Sequence, residues 1–181
     1  RASAGSADGS LKRAWFELEE ERFDEAANAF NRARDREPAS YEASLGLLLC
    51  DLRIKKKDDL GNQVQDYSGN QFFKDAYYYA DDKNKEKLKE YLKKSREYAN
   101  NLRGELQNRE IYDNALREKN QIETIADCDR VIHEFEKVSG YQDADAHAEE
   151  VREKRKDIKS KWKSKYEEAV IALEDAKTVQ E

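Results

Sequence analysis

The chain carries very little that could interrupt a helix. One Pro and seven Gly are spread over 181 residues. All-β sandwiches carry a turn signal every ~8–12 residues, and this chain has too few turn formers to supply them. No stretch alternates apolar and polar residues over the length of a strand. Apolar residues instead recur three and four apart along most of the sequence, the period of an amphipathic helix. The expectation is an all-α fold of about seven helices with no sheet. Charged residues make up 41% of the chain and the hydrophobic set 38%. That balance is too polar for a sphere with a deep core. It suits an elongated helical repeat, in which each helix buries one stripe and solvates the rest. Aromatic residues, at 10%, set the chain apart from disordered sequences of similar charge.

Residues 1–9, rich in Ala, Gly and Ser, read as linker or an expression remnant. Ser10 is the expected N-cap of a helix carrying Leu11, Ala14, Trp15 and Leu18. After a turn at Glu21–Arg22, a second helix carries Phe23, Ala26, Ala27, Phe30 and Ala33 and stops before Pro38. A third runs from about Ser40 through Leu45, Leu48, Leu49 and Leu52 to Ile54. It places Lys55, Lys56 and Lys57 at its C-terminal end, where cations suit the helix dipole. Residues 10–60 therefore form a hairpin plus a third helix. Residues 61–71, with Gly61, Asn62, Asp66, Ser68, Gly69 and Asn70, read as a loop.

Residues 72–181 read as longer, irregular antiparallel helices. A short aromatic helix holds Phe72, Phe73, Ala76, Tyr77, Tyr79 and Ala80. A long one runs from about Asn84 to Leu116 with a bend at Gly104. Another carries Ile122, Ile125, Cys128, Ile132 and Phe135. The last is capped by Asp143, with Asp145 in its first turn, and carries Val151, Ile158, Trp162, Tyr166, Val170 and Leu173. Tyr112-Asp113-Asn114-Ala115-Leu116 is echoed 54 residues later by Tyr166-Glu167-Glu168-Ala169-Val170. Such an offset fits an array of helical pairs whose last unit is truncated.

With Pro38 as a closing proline, Ala14, Phe23, Ala26, Phe30 and Ala33 fall on the small and aromatic positions of a tetratricopeptide repeat. The first two helices and the start of the third resemble that repeat. Glu17 and Arg13 depart from it, standing where an aromatic and a Leu are usual. Further on, Gly140-Tyr141-Gln142-Asp143-Ala144 resembles a helix turn of large modular bacterial proteins with irregular tetratricopeptide-like repeats. Those proteins are mostly without an assigned activity. The resemblance implies a binding or scaffold role and brings no catalytic residue with it.

No Gly-rich phosphate loop, dinucleotide fingerprint or CxxC occurs. Cys128 and His133 stand five apart, and His133 and His147 fourteen apart, so neither pair has the spacing of a metal site. Cys50 and Cys128 lie in apolar runs and read as small buried thiols. Acidic residues are so numerous that adjacent pairs such as Asp81–Asp82 carry no catalytic signal. No enzyme, cofactor or metal is expected. The net charge of −6 argues against a general polyanion binder. No apolar run approaches the ~20 residues that span a bilayer. The chain begins at Arg1 and contains no Met, so it reads as part of a larger protein, with a cytoplasmic location favoured for this segment.

Two features qualify as a partner surface. Tyr77, Tyr78 and Tyr79, with Tyr67 nearby, cannot all lie on one buried helical stripe, so at least one should reach water. They form either a packing plug or an aromatic contact surface. Between Arg152 and Lys165, eight basic side chains stand against two acidic ones. Arg152, Arg155, Lys159 and Lys163 are the candidate contacts there, for an acidic protein or, less favourably, for nucleic acid. The leading expectation is a non-catalytic protein-interaction scaffold for a protein, a peptide or neighbouring domains of the same chain. The alternatives are a helical spacer between domains and a nucleic-acid-binding domain using the basic helix 152–165.

Overall fold

A computed structural model describes residues 7–178. Among these the fold is all-helical without strands. Seven α-helices, α1 (Ala7–Glu19), α2 (Phe23–Arg36), α3 (Tyr41–Asp51), α4 (Gln71–Tyr79), α5 (Asp82–Lys119), α6 (Ile125–Lys137) and α7 (Ala144–Thr178), are joined by turns and one 3₁₀ segment, Lys57–Asn62. The chain divides into two compact units inside α5, the first reaching Leu102 and the second starting at Arg103. The division does not fall at the expected loop, because α4 and the start of α5 close the core of the first unit.

That unit is organised round α3. Ala43 to Cys50 are all buried, as befits a helix apolar on every side. α2 packs against it on one side and α4 on another, and α1 pairs with α2. Ala14, Ala26 and Ala33 let these helices approach closely, while Phe30 fills the centre with Trp15 edge-on at 5.0 Å. α2 ends at Arg36 because a residue before Pro is driven out of the helical region. Ser40 then caps α3, its hydroxyl accepting from the Ala43 N–H at 3.3 Å.

Several boundaries differ from expectation. α1 begins at Ala7, so Ser10 lies inside it; its hydroxyl accepts from the Arg36 guanidinium at 2.8 Å instead of capping. Of the expected linker, residues 1–6 lie outside the described residues and 7–9 are helical. α3 stops at Asp51, so Lys55–Lys57 are not on its last turn. Arg53 is left-handed (φ 55°), and the N–H groups of Arg53 and Ile54 bond to the carbonyls of Cys50 and Leu49. This is a Schellman ending. α1 closes in the same way, with Glu21 left-handed and Arg22 bonded back to Glu17. Neither ending uses the Gly that usually signals it. Lys55 then pairs with Glu21 at 2.7 Å, and Lys57 sits 4.6 Å from the centre of the Trp15 ring.

In the second unit, the end of α5 contributes Tyr112 and Ala115 to a core completed by Cys128, Val131 and Phe135 of α6 and Ala144, Ala148 and Val151 of α7. α6 starts after Ile122 because Thr124 and Asp127 form a reciprocal capping box. Gly140 is left-handed (φ 79°) in the turn to α7. Asp145 accepts from the Ser139 hydroxyl and the Gly140 N–H at 2.8 and 2.9 Å. It therefore ties this turn back onto α7, in addition to placing an acid in its first turn. α5 runs through Gly104 as one helix.

Candidate docking surface

α7 carries one apolar stripe along its described length. Ala144, Ala148, Val151, Ile158, Trp162, Tyr166, Ala169 and Leu173 are spaced three, four or seven apart, so at ~100° per residue they share a face. The stripe changes character midway. Val151 is 1% exposed, packed with Ala144 and Ala148 against α6. Ile158 is half-buried at the margin of that core. Beyond it Trp162 is 67% exposed, Tyr166 72% and Leu173 62%. Ile158, Trp162, Lys161, Lys165 and Glu168 line a shallow hollow with Glu123 of the α5–α6 turn.

The basic stretch divides at the same place. Arg152 donates to Glu136 at 2.6 Å and also pairs with Glu149; Arg155 donates to Asp129 at 2.6 Å. These two candidate contacts hold α6 against α7, with both acids of the inter-helix pairs supplied by α6. Lys159 and Lys163 lie past the end of α6. Lys163 has only a distant contact to Glu167 at 3.9 Å. Lys159, Lys161 and Lys165 make no ion pair among the described residues.

The tyrosines also separate. Tyr67 is buried in the first unit, edge-on to Phe73 at 5.4 Å, and its hydroxyl has no hydrogen-bond partner. Burial pushes that hydroxyl's pKa well above its ordinary value. Tyr67 therefore belongs to the core and presents no contact surface. Tyr77 is half-buried and stacked on Phe73. Tyr78, 77% exposed, lies edge-on to Tyr79 at 5.2 Å on the outside of α4. The requirement that one tyrosine reach water is met by Tyr78.

Cys50 and Cys128 are free and buried, and burial raises the Cys50 thiol to about 12, which leaves it protonated and unreactive at neutral pH. No group of three or more His, Cys, Asp and Glu side chains able to hold a metal ion occurs among the described residues. None of their helices is long and apolar enough to cross a membrane. His147 accepts at Nδ1 from the Lys119 ammonium at 2.8 Å, and Lys119 is also bonded to Glu150. This charged node ties the end of α5 to α7. No family model, curated protein or solved structure matches the chain.

Proposed function

We propose that this chain is a non-catalytic protein-interaction scaffold built of tetratricopeptide-like helical pairs and forming part of a larger protein. The observation that carries this reading is the uncovered half of the α7 stripe. Burying a large apolar side chain is worth ~1.5–3 kcal/mol, and contiguous exposed apolar surface rimmed by polar groups marks interaction sites. Trp162 and Tyr166 are residue types that dominate interface energetics. The tetratricopeptide-like reading is supported by the burial of Ala14, Ala26, Phe30 and Ala33, at the positions where that repeat packs its helices together. Glu17, off-pattern for the repeat, is nearly buried and accepts from the Arg22 guanidinium at 2.5 Å.

The test is quantitative affinity capture with the intact chain and a Trp162→Ala/Tyr166→Ala variant. Both side chains are exposed, so the variant keeps the fold. A specific protein retained by the native chain and lost by the variant is the expected result. Equal recovery by both, or no specific partner, would refute the reading.

A helical spacer is the second reading, supported by α5 between Arg96 and Glu110, where no residue is buried. The nucleic-acid reading draws less support, because Arg152 and Arg155 are already neutralised by acids of α6.

A further inference from the structure

We infer that the outer half of α7, from Ile158 to Leu173, is a docking site for an acidic amphipathic helix of a partner protein. The inference rests on the scaffold reading and supplies its partner's chemistry. The inner half of the same helix shows what fits such a surface. There the occupant is α6, lying antiparallel on α7. It presents the apolar residues Cys128, Val131 and Phe135 to the stripe, and its Asp129 and Glu136 neutralise Arg155 and Arg152. α6 ends its cover near Ile158, but the stripe runs on for about 22 Å at ~1.5 Å per residue.

The flanks continue too. At ~100° per residue, Lys159 and Lys165 fall roughly 60° to either side of Trp162, and Lys161 and Lys163 roughly 100° to either side. Four ammonium groups thus border an apolar strip on both edges. Glu167 falls roughly 140° from Trp162, and Glu168 roughly 120°, where it reaches the rim of the hollow beside Lys161 and Lys165. That arrangement decides between occupants. An antiparallel second copy would set four lysines against four lysines with only Glu168 of each copy to offset them, which costs affinity. A helix flanked by Asp and Glu meets both edges with opposite charge; α6 does so along one edge, through Arg152 and Arg155.

The echo between Tyr112 and Tyr166 points the same way. Tyr112 lies in the second core with Phe135 of α6 at 6.0 Å, whereas Tyr166, in the matching pattern, is exposed. The pattern is covered by a helix in the one place and open in the other.

The experiment is a fluorescence titration of the intact chain with three probes. One is a synthetic helix with a leucine stripe flanked by glutamates. The second has the same stripe flanked by lysines. The third is a DNA duplex. Trp162 should shift to the blue with the acidic helix, saturably, and with at least about tenfold weaker binding to the basic helix. Trp162→Phe should remove the signal. Lys159→Glu with Lys165→Glu should weaken the acidic helix by about tenfold or more while leaving the circular dichroism unchanged. Equal binding of both helices, no shift with the acidic one, or a shift with the duplex in its place would overturn the inference. So would concentration-dependent dimerisation, seen by sedimentation, that buries Trp162 without any probe. A partner captured through Trp162 and Tyr166 but indifferent to the acidic helix would leave the scaffold reading standing and remove only the acidic-helix assignment.

Discussion

Gly46 sits in the middle of α3, where helix propensity alone favours Ala by ~1 kcal/mol. Packing reverses that preference. A Cβ on Gly46 would stand 2.2 Å from the Phe30 ring, and Phe30 is fully buried with Trp15 against its edge. The ring cannot retreat without disturbing α1. Gly46→Ala is therefore expected to destabilise the chain by ~1–3 kcal/mol, the usual cost of overpacking, in a denaturant titration. Phe30→Leu in the same background should return part of the loss, and a more stable Gly46→Ala would contradict the close approach. In the sequence Gly46 is only a small residue in a leucine-rich run; its role comes from a ring sixteen positions earlier. Tyr67 is a similar case. Its neighbours Asp66, Ser68 and Gly69 are loop formers, yet its ring is fixed by Phe73 of α4 and carries an unpartnered hydroxyl inside. No local pattern distinguishes it from an exposed loop tyrosine. Periodicity did reveal the tyrosines of α4, because three in a row cannot share one stripe.

Element ends depend on single polar groups. Asp127 accepts from the Thr124 hydroxyl and from the N–H groups of Thr124 and Glu123. These bonds, the hydroxyl's first, hold its carboxyl at about 2, below the ordinary 3.8. A carboxyl depressed in the folded state stabilises above its unfolded value and loses that contribution as pH falls through its folded value. The denaturant midpoint of Asp127→Asn should therefore trail the native chain most at neutral pH. The gap should narrow as pH drops from about 4 to about 2; a gap independent of pH would show that the charge at this cap contributes nothing. The capping box was within reach of sequence reasoning, since Thr124-Ile125-Ala126-Asp127 has the spacing of one. The apolar Ile122 drew the expected helix start three residues too early. The Schellman endings at Glu21 and Arg53 had no such cue, because their left-handed residues are not glycines. α7 shows the limit from the other side. Its stripe was readable from Val151 to Leu173, but spacing cannot tell a covered stripe from an open one. Only the position of α6 separates Val151 from Trp162, and Arg155 from Lys159.

At the scale of the whole molecule, two cores share no residue. Leu18, Phe30, Leu45, Leu48 and Leu60 belong to one, and Tyr112, Val131, Phe135, Ala148 and Val151 to the other. The all-helical class was legible because scarce breakers and a 3.6-residue period are local properties. The division inside α5 was not, since the helix itself carries no break and its solvated middle reads like any polar helix face. Burial now gives that division an energetic meaning. Phe135 is fully buried and contacts Tyr112 and His147 through its ring, so Phe135→Ala should cost ~3–5 kcal/mol. Stability varies locally when cores are distinct, and the loss should therefore be confined. Native-state hydrogen exchange should show amides of α6 and the first half of α7, such as Val131 and Val151, losing protection. Amides of α2 and α3, such as Phe30 and Leu48, should keep theirs. Uniform loss across both sets would mean that the chain unfolds as one cooperative body. Confined loss would also reach the proposed docking site by a definite route, because the orientation of α6 on α7, and with it the hollow beside Trp162, depends on the core that Phe135 fills.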